Sequence, residues 1–213
     1  MTSPHPERPV GLRERKKART RDAIQREALR LFTEQGYDAT TVEQIAEAAE
    51  VSPSTYFRYF PTKEEPVIYD RIDPILMASF LDQPAELTPL QAVRVAIREV
   101  LQQLPAEESE LEAMRHRLIF GVPELRARIV ERMVDTMSVL ADAVAERVGC
   151  ERGDERVQVF TGCVLGAMLA GAYGRDGSDL TEPPPMLTSE MVARVDRALK
   201  LLENGVPFER ADG

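Results

Sequence analysis

The chain has 213 residues, with 27 Lys and Arg against 36 Asp and Glu, for a net charge of -9. That length can bury a core without disulfides or structural metal, and the charge excludes a uniformly basic nucleic-acid binder. Two cysteines, Cys150 and Cys163, and two histidines, His5 and His116, are too few for a disulfide framework or a His-based metal site.

The charge is unevenly placed. Residues 8–30 hold 9 basic and 3 acidic side chains, whereas the chain beyond Lys63 holds 16 basic and 27 acidic. A basic segment in an acidic chain points to a nucleic-acid or membrane contact, or to a solvated helix face. Ala, Leu, Glu, Arg and Met are plentiful and strand-type alternation is scarce, so the expected class is all-α. Residues 1–11, with Pro4, Pro6 and Pro9, read as a disordered tail. They lack the apolar core of a signal peptide, so a cytoplasmic location is expected.

The spacing predicts a first helix over 13–35, with Ile24, Ala28, Leu31 and Phe32 on one face. Gly36 can close it in a left-handed conformation, which frees Tyr37 to fold back. Thr41 is a good N-cap for a second helix, with Gln44 completing a capping box, although Thr40 with Glu43 fits the same rule. Val42, Ile45, Ala46 and Ala49 form its apolar face. Ser52 caps a third, short helix with Pro53 at its first position. Phe57 and Phe60 are expected in the core. Ser52, Thr55, Tyr56, Tyr59 and Lys63 form a second stripe of hydroxyls and one cation, suited to hydrogen bonds with phosphates and base edges. Pro61 ends this helix. Thr62 with Glu65 starts a fourth, with Lys63 in its first turn. Three such helices with a tight turn between the second and third make a helix-turn-helix. The basic first helix would lie beside the duplex and the short polar helix would enter the major groove.

Further helices are expected at 63–82, 89–104, 107–121, 123–148, 154–175 and 188–204. Pro105 and the stretch 176–187, with Pro183, Pro184 and Pro185, read as breaks. Pro66 and Pro74 fall inside the fourth pattern, and Pro74 is expected to kink or end it. Residues 157–174 carry no charge, and Gly162 and Gly166 are spaced for close helix packing. Four glycines, with Gln158 and Thr161, dilute the segment too much for a membrane span, so no membrane partner is expected. A helix buried in a core or against a partner chain is the better reading.

Residues Arg19 to Tyr69 resemble the tetracycline-repressor (TetR) family of bacterial transcription regulators. The resemblance lies in Ala28-Leu29-Arg30-Leu31-Phe32, Gly36-Tyr37, Thr40-Thr41-Val42-Glu43-Gln44-Ile45-Ala46 and Val51-Ser52-Pro53-Ser54-Thr55-Tyr56-Phe57-Arg58-Tyr59-Phe60, then Lys63-Glu64. It implies a helix-turn-helix DNA-binding domain over 12–62, a helical ligand-binding and dimerisation domain over 63–204, and a C-terminal tail over 205–213. It implies double-stranded operator DNA, a second copy of the chain and a small-molecule effector as partners. Neither a cofactor nor an enzymatic activity is implied.

By matched position, Thr41, Ser54, Thr55, Tyr56, Tyr59 and Lys63 contact DNA, and Ser52 and Pro53 bring helix amides near phosphate. Arg13, Lys16, Lys17 and Arg19 reach the backbone or minor groove. The chain departs from the family pattern at Glu50, where glycine is frequent in the turn, and at Phe57, where tyrosine is common. The resemblance also implies a dimer built by the last two long helices. Gly162, Leu165, Gly166, Leu169, Ala170 and Tyr173 would form one stripe, and Met191, Val195, Leu199 and Leu202 the other.

A pocket is implied among helices four to eight. Its candidate lining is Met77, Phe80, Met114, Leu118, Met133, Met137, Phe160 and Met168, with methionines suiting flexible apolar ligands. Arg115 and Arg117 are candidates to hold a carboxylate, phosphate or coenzyme-A-like group. The C-terminal half resembles an actinobacterial subgroup that senses acyl-CoA-like molecules. The expected function is a ligand-released repressor of a palindromic operator. An enzyme is the weaker alternative: the chain has no G-x-S-x-G, H-E-x-x-H or phosphate-binding glycine loop. A binding module that has lost DNA recognition is the other.

Overall fold

The computed structural model describes residues 11–173 and 189–206. Among them are ten α-helices and no strand, in agreement with the all-α reading. The chain divides into two compact units, 1–67 and 68–213.

In the first unit, α1 spans Leu12–Gln35 and buries Ile24, Gln25, Ala28, Leu29 and Phe32 on one face. Arg30 supports its exposed side through Glu27 at 2.8 Å and Glu34 at 2.5 Å. The buried Gln25 amide donates to the Pro66 carbonyl at 3.0 Å, which gives the polar side chain a partner inside the core. After Gly36, at φ +93°, Tyr37 turns back. Its ring lies 5.0 Å from that of Phe32, and its hydroxyl donates to Glu64 at 2.9 Å.

Helix α2, Val42–Ala48, starts with the Thr41–Gln44 capping box. The Gln44 amide donates to Thr41 Oγ1 at 3.3 Å and Gln44 Oε1 accepts from the Thr41 amide at 2.9 Å. Thr40 is instead buried, and its hydroxyl donates to the Gly36 carbonyl at 2.8 Å. The helix ends with two reverse bonds, Glu50 N–H to Glu47 O at 3.0 Å and Val51 N–H to Ala46 O at 2.9 Å. This termination places Glu50 in the left-handed region, at φ +54°. Helix α3, Pro53–Tyr59, follows, with Ser52 Oγ accepting from the Thr55 amide at 3.2 Å.

The expected fourth helix over 63–82 is instead two. Helix α4 is the short segment Glu65–Ile68, and α5 runs Asp73–Asp82. Between them Asp70 accepts from the amides of Ile72 and Asp73 at 2.8 and 3.1 Å, which turns the chain. Pro74 therefore sits in the first turn of a new helix, where a missing N–H costs nothing, rather than kinking an old one. Lys63 precedes α4 rather than lying in its first turn.

The second unit continues with α6 (Pro89–Gln103), α7 (Ala106–Gly121), α8 (Pro123–Val148), α9 (Glu155–Tyr173) and α10 (Ser189–Glu203). Pro89 and Pro123 open α6 and α8, and Gly149 closes α8 in the left-handed region. The core joins Phe80, Val93, Ile97, Val144, Val164, Val195 and Leu199. Arg94 ties α6 to α10 through Asp196 at 3.0 Å and Glu203 at 2.6 Å. Arg147 holds the loop before α6 by donating to the carbonyls of Gln83 (2.9 Å), Pro84 and Leu87 (3.2 Å).

At Gly171, α9 and α10 approach closely: a Cβ there would lie 2.6 Å from Val195 Cα. No described helix is long and apolar enough to cross a membrane. The expected break at 176–187 lies outside the described residues, as do residues 1–10 of the expected tail over 1–11, whose Gly11 precedes α1, and residues 207–213 of the expected tail over 205–213.

Candidate nucleic-acid interface and ligand cavity

On the first unit, Arg13, Lys16, Lys17 and Arg19 are all exposed, and they lie on α1 itself. Thr41, Ser52, Pro53 and Ser54 are exposed; Thr55, Tyr59 and Lys63 are half-buried. Ser52 Oγ lies 2.9 Å from both Ser54 Oγ and Thr55 Oγ1, so the start of α3 presents three linked hydroxyls. The guanidinium groups of Arg21 and Arg58 lie 5.9 and 5.4 Å from the Tyr59 ring centroid. Lys63 rests over the Tyr37 ring, its Nζ 4.3 Å from the centroid.

One pair of residues is reversed from the expected orientation. Tyr56 is fully buried, whereas Phe57 is 48% exposed. The Tyr56 hydroxyl donates to the Thr62 carbonyl at 3.1 Å, and burial followed by the nearby Glu64 charge pushes its phenol well up. Tyr56 is thus core and leaves the candidate contact stripe. Phe57 belongs to the outer face and packs edge-on against the Tyr56 ring at 5.5 Å.

The second unit holds an open cavity of about 570 Å³, a size that suits a small-molecule ligand. Most of its wall is apolar, from Ile97, Ile119, Phe120, Met133, Leu165 and Met168 among others. Of the expected lining residues, Arg115, Met133 and Met168 are present, whereas Met77, Phe80, Met114, Arg117, Leu118, Met137 and Phe160 are not. Phe80 and Leu118 are buried in packing contacts, Met77 and Phe160 pack against the same core, and Arg117 is exposed.

The polar part of the lining is a cluster in which only Arg115 and His116 drew attention in the sequence. Arg115 is buried between two carboxylates, Asp70 at 2.5 Å and Glu112 at 2.7 Å. Against the cost of burial, the Arg115 guanidinium and the amides of Asp73 and Ile72 hold Asp70 below its ordinary range. Burial, and then the charge of Asp70, push Asp73 up to about 6. Burial raises Glu112 although Arg115 opposes it. Burial and the Arg115 charge pull His116 down to about 3, so its imidazole is neutral. The expectation that Arg115 and Arg117 grip an anion is therefore corrected. The first is already held by carboxylates, and the second is outside the cavity. A signal was available: Glu112 and Arg115 stand one helical turn apart on the face of α7 that also buries Leu111, Leu118 and Ile119.

The helices expected to form the dimer divide into two cases. Met191, Val195 and Leu199 of α10 are buried within the chain, and Leu202 packs against the same core. Their stripe serves the fold of one chain, because α10 lies directly on α9 at Gly171. On α9, Gly162, Gly166, Leu169 and Ala170 are exposed, together with Val159 and Cys163. Leu165 lines the cavity, and the partly exposed Leu169 also contributes to its wall. Tyr173 ends α9, and its side chain lies outside the described residues.

Comparison with known proteins agrees with both units. Residues 24–65 match the family model for bacterial regulatory proteins of the tetR family, and residues 87–207 match that for the MftR C-terminal domain. The HTH-type transcriptional regulator TcmR from Streptomyces glaucescens is 43% identical over 152 residues, covering 68% of this chain and 67% of that protein. Among solved structures, Thermus thermophilus FadR, a TetR-family transcriptional repressor in complex with lauroyl-CoA, superposes with a TM-score of 0.53 at 23% identity, covering 91% of this chain and 98% of FadR. The SmeT–triclosan complex has a TM-score of 0.53 at 19% identity, covering 91% and 97%. SmeT is the repressor of the Stenotrophomonas maltophilia multidrug efflux pump SmeDEF. A helix-turn-helix unit joined to a helical unit with its own cavity, matched at both ends by one family, identifies the chain as a member of the TetR family of bacterial transcriptional regulators.

Proposed function

We propose that the protein is a dimeric repressor that binds a palindromic operator and is released by a small, mainly apolar effector. Residues 12–62 serve as the DNA-binding domain and residues 63–204 as the effector and dimerisation domain. The observation that carries this reading is the outer surface of the first unit. Hydroxyls of Ser52, Ser54 and Thr55 cluster at the exposed start of α3, and Arg13, Lys16, Lys17 and Arg19 are exposed on α1. Phosphate contacts from the basic residues fix register, and the hydroxyls with Thr41, Phe57 and Tyr59 read the groove. Lys63 reaches phosphate from its seat on Tyr37.

The exposed face of α9, with Gly162, Gly166, Leu169 and Ala170, supports pairing with a second copy. Small residues let two helices approach closely, and a two-fold pair repeats the recognition helix about one duplex turn away, roughly 34–36 Å. The cavity supports effector control. Asp70 and Asp73 line it, and the Asp70 carboxylate accepts the Ile72 and Asp73 amides in the turn before α5. A coupling of about 1–3 kcal/mol between effector and operator is enough to shift occupancy 5- to 150-fold. As a regulator of DNA the protein acts in the cytoplasm.

A salt-titrated gel shift with the DNA upstream of its own gene is the test. Specific binding to a palindrome, weakening steeply with salt through counterion release, is expected. Equal affinity for random DNA would overturn the reading.

A further inference from the structure

The chemistry of the effector's polar end can be read from the inner wall of the cavity. Arg115, the buried cation there, is already shared by Asp70 and Glu112. His116 sits 4.0 Å from Glu112 and is neutral. Arg126 and Arg132 also line the cavity, but both are exposed, and Arg126 donates to the Phe120 carbonyl at 3.0 Å. The inner wall therefore holds three carboxylates, of Asp70, Asp73 and Glu112, beside one buried guanidinium.

Asp73 differs from the other two. Asp70 accepts two backbone amides and Arg115, and Glu112 accepts Arg115. Asp73 has Thr136 beside it and no ion pair among the described residues, although the charges of Arg115 and Arg132 act on it. A carboxylate has about four lone-pair sites, so Asp73 keeps acceptor capacity for a ligand in a cavity whose wall is mostly apolar. An apolar group that displaced water from this carboxylate would be unfavourable, whereas a donor would replace the lost hydrogen bonds.

We propose that the cavity takes a mainly apolar molecule whose polar end is a hydrogen-bond donor, a hydroxyl or an amine, seated on Asp73 beside Thr136. An anionic head, such as a carboxylate, is disfavoured because Arg115 is already held by Asp70 and Glu112 and the head would face Asp73. This assignment rests on the reading of the cavity as the effector site. It replaces an acid-binding role for Arg115 with a donor-binding role for Asp73.

The test uses the full-length protein and four aromatic probes of similar size in calorimetric titrations at neutral pH. These are 2-naphthol, 2-naphthylmethylamine, 2-methoxynaphthalene and 2-naphthoate. The better of the two donor probes is expected to bind at least about tenfold more tightly than the methyl ether and the carboxylate, the scale of one charge-assisted hydrogen bond. Naphthol ahead assigns a neutral donor, and the amine ahead assigns a cation.

In Asp73→Asn, checked for folding by its melt, the advantage over the methyl ether should fall to about threefold or less. Thr136→Val, which leaves Asp73 in place, serves the same comparison if Asp73→Asn does not fold. Carboxylate binding as tight as donor binding, binding of none of the four probes, or an undiminished preference in the variant overturns the proposal. The same preparations are run on operator DNA. Intact operator binding with no donor preference defeats this assignment alone, whereas absent operator binding defeats the regulator reading.

Discussion

The hydroxyl of Tyr56 donates to the main-chain carbonyl of Thr62 at 3.1 Å while its ring is fully buried. This bond joins α3 to the turn that follows, and Phe57 lies on the outer face. Removing the hydroxyl in Tyr56→Phe should cost about 1 kcal/mol of stability, read as a lower urea midpoint. Phe57→Ser should change the midpoint by less than about 0.5 kcal/mol, as an exposed position does, yet weaken operator binding in a gel shift. A large loss of stability in Phe57→Ser would place that ring in the core after all.

Glu50 presents the opposite situation, a residue whose backbone is less comfortable than its surroundings. Its φ of +54° lies where a side chain with a Cβ is strained, at a cost of about 1–2 kcal/mol. The two reverse hydrogen bonds that end α2 require this conformation. Glu50→Gly should therefore raise the denaturation midpoint, by about 0.5–1 kcal/mol after the larger entropy of an unfolded glycine is subtracted. Removing a carboxylate from the turn of the DNA-binding unit should also strengthen DNA binding at low salt. A lower midpoint would mean that the Glu50 side chain stabilises the turn in a way its exposure does not reveal.

Sequence reasoning succeeds at the helix caps. Helix caps are local: Thr41 with Gln44, and Ser52 with Pro53, decide their helix starts within four residues. The departure at Glu50 was legible from the family pattern, which left the conformation of the turn open. Tyr56 and Phe57 were not, because a helix of seven residues is too short for its apolar stripe to declare which side faces in. Burial there is set by the chain after Phe60, through the Thr62 carbonyl. The cavity cluster was hidden for a different reason. Asp70 lies 45 positions from Arg115, so no spacing rule links them. Likewise an apolar stripe such as Met191, Val195 and Leu199 looks the same whether it packs within a chain or between two.

The cavity cluster makes stability depend on pH in two opposed ways. His116 falls from 6.5 to about 3, through burial and then the Arg115 charge, with Asp70 opposing. A base with a lowered folded pKa contributes its full stability above its unfolded value, about 6.5, and loses it as pH falls toward 3. Asp73 rises from 3.8 to about 6, through burial and then Asp70, with Arg115, Arg132 and Thr136 opposing. An acid with a raised folded pKa contributes its full stability below its unfolded value and loses it as pH rises through 6. His116→Gln should therefore gain on the wild type as pH drops from neutral to 4, by about 2–3 kcal/mol. Asp73→Asn should show its largest advantage above pH 6, about 1–3 kcal/mol, shrinking toward pH 4. Thermal melts across this range check both, and parallel curves would show that neither group is desolvated as the structure places it.

Two glycines on α9 separate packing within the chain from pairing between chains. A Cβ on Gly171 would lie 2.6 Å from Val195 Cα and 3.0 Å from the Arg194 carbonyl oxygen. Both are backbone atoms, so α10 must shift to accept it, and overpacking of this kind costs about 1–3 kcal/mol. Gly171→Ala should lower the melting temperature. A Cβ on Gly166 meets nothing within 4 Å, so Gly166→Leu should leave the fold of a single chain intact, apart from the helix propensity it gains. If the exposed α9 face pairs with a second copy, the same substitution should shift the protein toward monomer in sedimentation velocity. Operator affinity should fall with it, since each half-site would then be bound alone. A Gly166→Leu protein that sediments as the wild type does would move the pairing surface off this stripe of α9, and a Gly171→Ala protein as stable as the wild type would loosen the α9–α10 contact.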